Sequence, residues 1–274
     1  MGTGVNDNSR DTQPPDETVS VVIGVPVNRA KAYILQMFLE NQREIQQHYL
    51  ASQLVLATVE RDFVDELRSL FVSTGLRGAV FTYDIVKPYN SVSKAWNIAC
   101  GREAIRKYVL SETEASYLLC MDVDMTYDPT VVGTLVKNIR GHDAIFSGYW
   151  LRDNHGIALT GGGCCMLDRR ALARLTFRCV EFKGGEAILD DSLLELDLFR
   201  LECRVKKGFF VSISHYENKT QARHMHPHRV GIAMRMVNSS VVRYALIRAS
   251  LILHIHLPWR LKMMFNRLYG PLSD

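Results

Sequence analysis

Residues 117–129 read YLLCMDVDMTYDP, an apolar run that ends on two aspartates, Asp122 and Asp124, before a turn at Asp128-Pro129. The apolar run is typical of a buried strand. Unpaired charge is costly to bury, so two carboxylates at the end of such a strand need a partner. Either a buried basic side chain pairs with them or a metal ion binds there.

Strand and helix patterns alternate on both sides of this stretch. Five apolar runs are typical of buried strands: 19–26, 53–60, 78–85, 117–124 and 143–151. The segments between them have apolar residues at helical spacing. The alternation predicts an α/β fold with a mostly parallel sheet flanked by helices. Ligands bind such sheets beyond the C-terminal ends of the strands, where Asp122 and Asp124 lie. Because these aspartates are two residues apart, we expect both on the same side of the strand.

The composition is that of an ordinary globular protein, but the charge is unevenly distributed. Of the 274 residues, 47% are hydrophobic and 23% charged, which suits one large domain or two small ones. Residues 219–273 hold nine Lys and Arg and no Asp or Glu; with Asp274 this segment carries 9 − 1 = +8. The remaining chain, with 24 basic and 28 acidic residues, carries −4. The basic tail indicates an anionic partner surface.

The cysteines and the first residues favour a cytoplasmic protein. None of the six cysteines forms a CxxC pair, and most lie in apolar runs, so we interpret them as reduced thiols. Residues 1–18 are polar and acidic and predict a disordered segment rather than a signal peptide. The predicted organisation is therefore a domain over 19–218, followed by a mobile loop and a helical tail over 219–274.

The tail combines apolar and basic residues. Over 239–269, Arg243 and Arg248 interrupt the apolar run, which argues against a membrane span. The pattern predicts amphipathic helices on the cytoplasmic face of an anionic membrane. The alternative is a C-terminal helix that covers the core or forms a dimer contact. No nucleic-acid partner is expected, because no known binding module or aromatic platform is present.

Candidate metal-binding or catalytic side chains lie in three places. Asp122 and Asp124 offer the oxygen ligands that Mg²⁺ or Mn²⁺ prefers; the alternative is a solvated loop pair or a helix cap. Asp190 and Asp191 precede an apolar helix; one is expected to cap it, and the other is a candidate general base. His215 follows a strand and is a candidate metal ligand or phosphate contact, or a structural histidine.

Two glycine- and histidine-rich stretches are less specific. GGGCCML at 161–167 lets a backbone approach a ligand closely, or simply turns before a strand. The composition of HMHPH at 224–228 is compatible with a metal site, but a mobile polar loop is the simpler interpretation. Neither GxxxxGK[ST] nor a GxGxxG after the first strand occurs, which disfavours a P-loop or a dinucleotide site.

Five motifs in 19–218 stand in the order of a known family. They are GVPVNR, VSKAWN, CMDVDM, GGGCCMLDRRAL, and LDDSLLELDLFRLECRVKKGFF followed by HYEN. With them the chain resembles a glycosyltransferase of the GT-A fold, most closely the inverting family 2 type. The resemblance implies metal-dependent transfer of a hexose-like sugar from a UDP-, GDP- or dTDP-sugar to a hydroxyl of a glycan or lipid-linked acceptor.

The resemblance also implies roles for the acidic residues. Asp124 would bind a Mn²⁺ or Mg²⁺ ion that bridges the donor diphosphate, and Asp122 would contact the ribose or the waters of the ion. His215 would be a further metal or phosphate contact. Asp191 matches the catalytic base of the family's acidic pair. The first member of that pair is Asp190 here, where the family more usually has Glu.

Further donor contacts are implied by position. The backbone of Pro26 and Val27 would line the nucleotide, and Lys94 matches a basic residue that approaches it. Glu60 stands where the family usually has an aspartate near the base, so the base contact departs from the pattern. Two glycines would lie near the donor sugar and the acceptor: Gly162 and Gly163.

The sequence is also compatible with two other functions. A nucleotidyltransferase can share a parallel sheet and paired acids, and would need a basic phosphate-binding loop after the first strand. GVPVNRAK offers only Arg29 and Lys31 for that purpose. A non-catalytic membrane adaptor that binds a nucleotide or glycan would tolerate loss of Asp124 and Asp191. Fold alone does not decide between these functions.

Overall fold

The structure is a computed structural model that describes residues 19–87, 95–151, 157–182 and 187–256. The predicted disordered segment 1–18, the candidate donor contact Lys94 and the last part of the basic tail lie outside the described residues.

The order of strands and helices follows the predicted alternation up to the fifth predicted strand and then becomes irregular. The strands are β1 (Val21–Pro26), β2 (Ser52–Thr58), β3 (Gly78–Thr82), β4 (Tyr117–Met121), β5 (Met125–Tyr127), β6 (Ala144–Ser147), β7 (Tyr149–Trp150), β8 (Ile157–Ala158), β9 (Cys164–Asp168), β10 (Val180–Glu181), β11 (Ala187–Ile188), β12 (Val205–Gly208), β13 (Ile213–Tyr216) and β14 (Ala222–Met225). The helices are α1 (Ala32–His48), α2 (Val64–Ser73), α3 (Ala95–Glu112), α4 (Val131–Ile139), α5 (Arg169–Arg174), α6 (Asp190–Arg200), α7 (Ile232–Val237) and α8 (Ser240–His256), with a 3-10 turn at Arg29–Lys31 before α1.

A seven-stranded sheet forms the centre, in the order β12-β6-β9-β4-β1-β2-β3. All pairings are parallel except those of β9, which runs antiparallel between β4 and β6. The predicted α/β fold with a mostly parallel sheet is confirmed. Because β1 and β4 are parallel neighbours, their C-terminal ends meet at one edge of the sheet.

The sheet is buried on both faces, as its continuous apolar strands predict. On one face β1 packs Ile23 with Phe38 of α1 and with residues of α2 and α4. On the other face Val22 packs with Ile105 of α3 and with residues of α5 and α6. Between them Gly24 leaves room for α3, since a Cβ there would lie 2.5 Å from the Ile105 Cγ2 atom. This brings α3 close beneath the end of β4.

A small second sheet lies beside the end of β4. It has the order β14-β13-β5, and both of its pairings are antiparallel. His215 is opposite Met125, and the Tyr216 amide donates to the Asp124 carbonyl at 2.9 Å. Residues 222–225, within the segment predicted as a mobile loop, form β14. The pairing of β13 is what carries His215 to the acidic pair.

The C-terminal helix packs on α6. Ile247 of α8 is buried with Leu193 and Leu196, and Tyr244 stacks on Phe199 with ring centroids 4.4 Å apart. Among the helices in the described ranges, none is both long enough and apolar enough to cross a membrane.

Candidate active site

Asp122 and Asp124 lie just beyond β4. The strand ends at Met121, so Asp122 and Asp124 belong to the turn that follows, and the side-to-side alternation of a strand does not govern them. The expectation that both point to one side is not met. Asp122 contacts Arg102 of α3, whereas Asp124 contacts Lys31, just before α1.

Arg102 is the buried basic partner that the sequence pattern required. Its Nη2 lies 2.8 Å from Asp122 Oδ1 and its Nη1 lies 2.7 Å from Asp190 Oδ2. Burial alone would lower the pKa of Arg102. The negative charges of Asp190 and Asp122 outweigh this effect and raise the pKa well above its usual value. Arg102 was not among the residues predicted for the site, although Ala99 and Ile105 at helical spacing mark its face of α3 as buried.

Replacement of Arg102 by methionine is expected to destabilise the fold by about 3–5 kcal/mol, because it leaves the buried Asp190 carboxylate without its cation. Urea unfolding at neutral pH measures this loss. The double variant Arg102→Met/Asp190→Asn should recover part of it, since the uncompensated charge is then gone. A loss below about 1 kcal/mol for Arg102→Met would contradict the structural importance of this ion pair.

Asp124 is buried between two basic groups. Its Oδ2 lies 2.6 Å from Lys31 Nζ and 3.6 Å from His215 Nε2. Burial raises the pKa of this carboxyl, but the hydrogen bonds and charges of His215 and Lys31 prevail and hold the pKa well below its usual range. Asp124 is therefore a carboxylate at any physiological pH.

His215 is held in the orientation of a metal-binding or phosphate-binding histidine. Its Nδ1 lies 2.7 Å from the carbonyl oxygen of Trp150. A carbonyl only accepts, so Nδ1 carries the hydrogen in this bond, and Nε2 is the ring nitrogen that faces Asp124. Histidine ligands of metals are typically fixed in this way by a backbone carbonyl or a carboxylate.

The residues around Asp124 fit a divalent cation of the Mn²⁺ or Mg²⁺ type. A carboxylate and an imidazole suit Mn²⁺, and both ions are usually bound by few protein groups together with water and substrate phosphate. Within the described ranges, no three His, Cys, Asp or Glu side chains converge into a closed site. Of the three candidate ligands, Asp124 and His215 lie 3.6 Å apart, whereas Asp122 is bound to Arg102. The Lys31 ammonium would compete with the ion for Asp124.

The glycine turn lies against the protein's own site residues. A Cβ on Gly162 would be 2.2 Å from Arg102 Nη1, and a Cβ on Gly163 would be 2.8 Å from Asp122 Oδ2. The Gly163 backbone is fixed by two tyrosines: its amide donates to Tyr149 Oη at 3.1 Å, and Tyr127 Oη donates to its carbonyl at 2.5 Å. Glycine is therefore needed here for close packing around Arg102 and Asp122.

Asp190 and Asp191 form the first turn of α6, and neither is its N-cap. Leu189 takes the N-cap position without a side-chain hydrogen bond, so the prediction that one aspartate caps the helix is wrong. Asp190 is instead bound to Arg102, and Asp191 Oδ1 accepts from the Ser192 amide at 2.6 Å. The local hydrogen-bonding pattern does not reveal this, because Arg102 is 88 residues away in sequence.

The pKa of Asp191 is shifted towards neutrality. Burial raises it, the neighbouring Asp190 carboxylate raises it further, and the Arg102 guanidinium partly opposes both, so that the pKa of Asp191 is about 6. A carboxylate with a pKa near the working pH can both take and hold a proton, which is what a general base requires.

The remaining candidate donor contacts surround the ends of β1 and β2. Val27 is buried and its amide donates to the Ala57 carbonyl at 2.8 Å, so only its carbonyl could meet a ligand. Pro26 ends β1 and has no amide hydrogen. Glu60 Oε2 accepts from the Arg29 amide at 2.5 Å, which fixes the start of the turn before α1.

Comparison with known proteins gives structural similarity without sequence similarity. No family model matches the chain, and no curated protein matches it. Solved structures that resemble it include the mannosyltransferase PcManGT from Pyrobaculum calidifontis in complex with GDP-Man and Mn²⁺, with 15% identity and a TM-score of 0.48 over 70% of this chain and 56% of that one.

Two further similar structures are complexes with UDP-GlcNAc or with UDP. S. aureus TarS 1-349 with UDP-GlcNAc has 12% identity and a TM-score of 0.49 over 88% of this chain and 68% of that one. Glucosyl-3-phosphoglycerate synthase from Mycobacterium tuberculosis with Mn²⁺, UDP and glucosyl-3-phosphoglycerate has 14% identity and a TM-score of 0.47 over 88% of this chain and 81% of that one. This chain spans just over half the length of the PcManGT structure. Because their TM-scores are below 0.5, these similarities do not indicate an activity for this chain.

Proposed function

We propose that the chain is a metal-dependent inverting glycosyltransferase that moves a sugar from a nucleoside-diphosphate sugar to an acceptor hydroxyl. The observation that carries this proposal is the chain of contacts Asp122–Arg102–Asp190, which joins the acidic turn after β4 to the helix that carries Asp191. Asp124, whose pKa is lowered, and Asp191, whose pKa is raised, are thereby held at one end of the sheet. Transfer from a diphosphate leaving group requires both.

The donor side of the proposed site is built around Asp124. Asp124 and His215 would hold a Mn²⁺ or Mg²⁺ ion, and Asp122 would contact the ribose or the waters of the ion. Such an ion would stabilise the negative charge that develops on the diphosphate. Lys31, which binds Asp124 in the structure, would then be free to contact the same phosphates. The nucleotide and sugar are lined by the remaining candidates: Pro26, Val27, Glu60, Lys94, Gly162 and Gly163.

Asp191 is proposed as the base of a single displacement. Its carboxylate takes the proton of the acceptor hydroxyl as that oxygen forms a bond to the anomeric carbon. The bond from the anomeric carbon to the diphosphate oxygen breaks, and the nucleoside diphosphate leaves with the electron pair. One displacement inverts the anomeric configuration. Asp190 does not face this reaction; it holds the start of α6 through Arg102.

Nucleotidyl transfer has less support in the structure. Arg29, one of the two basic groups available for a phosphate loop after β1, is paired with Asp62 and Glu66, each at 3.1 Å. Lys31, the other, is bound to Asp124. The favoured function is therefore sugar transfer, with residues 19–218 as the catalytic domain.

The acceptor is proposed to be a hydroxyl of a glycan or of a lipid-linked molecule, reached at the cytoplasmic face of a membrane. The support is the excess of basic over acidic residues after residue 218. Negative charge at a membrane surface attracts such a segment.

A donor screen tests the proposed activity. The full chain is incubated with UDP-, GDP- and dTDP-sugars in Mn²⁺, in Mg²⁺ or in EDTA, and the nucleotide products are separated. Release of nucleoside diphosphate from one donor, abolished by EDTA, is the expected result. A parallel incubation with a nucleoside triphosphate and a sugar phosphate tests the alternative, because release of pyrophosphate there would indicate a nucleotidyltransferase. No turnover and no nucleotide binding would support the non-catalytic adaptor.

A further inference from the structure

Helix α8 has two apolar faces, and the fold uses only one. Tyr244 and Ile247 face α6 and pack there. A second set at the spacing i, i+3, i+4, i+7 lies exposed along α8: Val242, Ala245, Leu246 and Ala249. Leu246 is 52% exposed. An apolar stripe at this spacing is typical of a helix that packs against something, and no residue in the described part of the chain buries it.

Helix α7, which packs against α8, also has exposed apolar side chains. Ile232 and Met236, one helical turn apart, are 79% and 66% exposed. Of the ten large hydrophobic side chains that are exposed among the described residues, five lie between 232 and 246. Arg235 and Arg248 are exposed on the same two helices. We define the α7–α8 surface by its large apolar members and these two arginines: Ile232, Met236, Val242, Leu246, Arg235 and Arg248.

The charge of this region selects the occupant. Residues 219–273 contain nine basic and no acidic residues. A second copy of the chain would bring two such segments together, with like-charge repulsion. Residues 257–274 contain three further basic residues, Arg260, Lys262 and Arg267, and one acidic residue, Asp274. An anionic bilayer offers both an apolar layer and negative headgroups.

We propose that the α7–α8 surface docks on an anionic membrane surface, with its apolar side chains at the boundary of the acyl chains and its arginines among the headgroups. The proposal deepens the proposed membrane location of the enzyme and does not depend on the sugar transfer itself. It assigns the contact to named side chains on a helix that is part of the fold.

The docking surface is tied directly to the proposed catalytic helix. Glu195 of α6 is buried and binds Arg243 of α8, whose Nε and Nη2 are each 2.9 Å from Glu195 Oε2. Lys207 and Thr160 bind the same carboxylate. Glu195 lies in the helix that begins with Asp190 and Asp191. A membrane-bound α8 would therefore hold the proposed base close to the lipid surface, where a lipid-linked acceptor lies.

Vesicle co-sedimentation of the full chain, without donor or acceptor, tests this surface. Vesicles of phosphatidylcholine mixed with phosphatidylglycerol are compared with vesicles of phosphatidylcholine alone. Val242→Glu/Leu246→Glu and the single variant Leu246→Glu are compared with Val72→Glu, which adds one negative charge, as Leu246→Glu does, on an apolar side chain of α2 that is 76% exposed. All three positions are solvent-exposed, and the thermal unfolding of each variant confirms that it is folded.

The wild type is expected to bind the anionic vesicles and not the vesicles of phosphatidylcholine alone. Its binding should weaken at high salt, because its arginines interact with the headgroups. The Val242→Glu/Leu246→Glu variant should lose about tenfold or more in affinity, while Val72→Glu binds like the wild type. Unchanged binding by the double variant would overturn the assignment. So would a stable dimer in light scattering that the double variant dissociates. Because this readout needs no turnover, its failure is distinct from a failure of the proposed sugar transfer.

Discussion

Asp191→Asn is expected to lower kcat for sugar transfer by about 10²–10⁴-fold, the usual effect of removing a general base. Asparagine keeps the shape and can still accept from the Ser192 amide, so donor binding should be nearly unchanged. The measurement is nucleoside diphosphate release at saturating donor. The matched control is Asp65→Asn, in the first turn of α2, where the side chain is 87% exposed. Equal rates for Asp191→Asn and wild type would contradict the role of Asp191 as base.

A stability measurement separates this role from a structural one. The pKa of Asp191 in the folded protein is about 6, above its ordinary value of 3.8, so its stabilising contribution is present at low pH and is lost as the pH rises through 6. At pH 8 the ionised carboxylate therefore opposes folding. Asp191→Asn should be more stable than wild type at pH 8, by about 1–3 kcal/mol, and the difference should vanish near pH 4. A purely structural aspartate would give a less stable variant at pH 8.

Asp124→Ala is expected to lower kcat/KM by about 10³-fold, since it removes the carboxylate proposed to hold the divalent ion and with it the charge stabilisation on the leaving diphosphate. Lys31 and His215 then face each other without an anion between them, which also disfavours cation binding. The measurement is activity as a function of Mn²⁺ concentration.

The control for Asp124 is an aspartate on the far side of β5. Asp128→Asn changes a partly buried carboxylate four residues further on, which accepts from the Thr130 amide and hydroxyl. Its activity should stay within a few-fold of wild type. If Asp124→Ala kept the wild-type dependence on Mn²⁺, the assignment of Asp124 to the metal would be wrong.

Much of the sheet could be predicted from the sequence, because its strands alternate with helices and are apolar throughout. The antiparallel insertion of β9 between β4 and β6 could not be predicted, since periodicity describes a strand and not its partner. The same reason explains His215: only the pairing of β13 with β5 brings it to Asp124. Long-range pairing of this kind is not visible in a local pattern.

The site shows a second limit of sequence reasoning. The cost of burying Asp122 and Asp124 predicted a buried base or a metal, and the structure provides a basic partner for each. Arg102 was missed because a single basic residue within an apolar helical face is easily taken for a surface side chain. The role of Asp190 as its second partner follows from the contact between α3 and α6, not from the residues next to it.

Calorimetric titration of UDP, GDP and dTDP into the full chain tests the central claim most directly, because binding requires no knowledge of the acceptor. We predict that one of these nucleotides binds in Mn²⁺, that EDTA weakens this binding strongly, and that Asp124→Ala abolishes the metal effect while Asp128→Asn retains it. If none of the three nucleotides binds in the presence or absence of Mn²⁺, the end of β4 is not a nucleotide-sugar site and the proposed transferase is wrong.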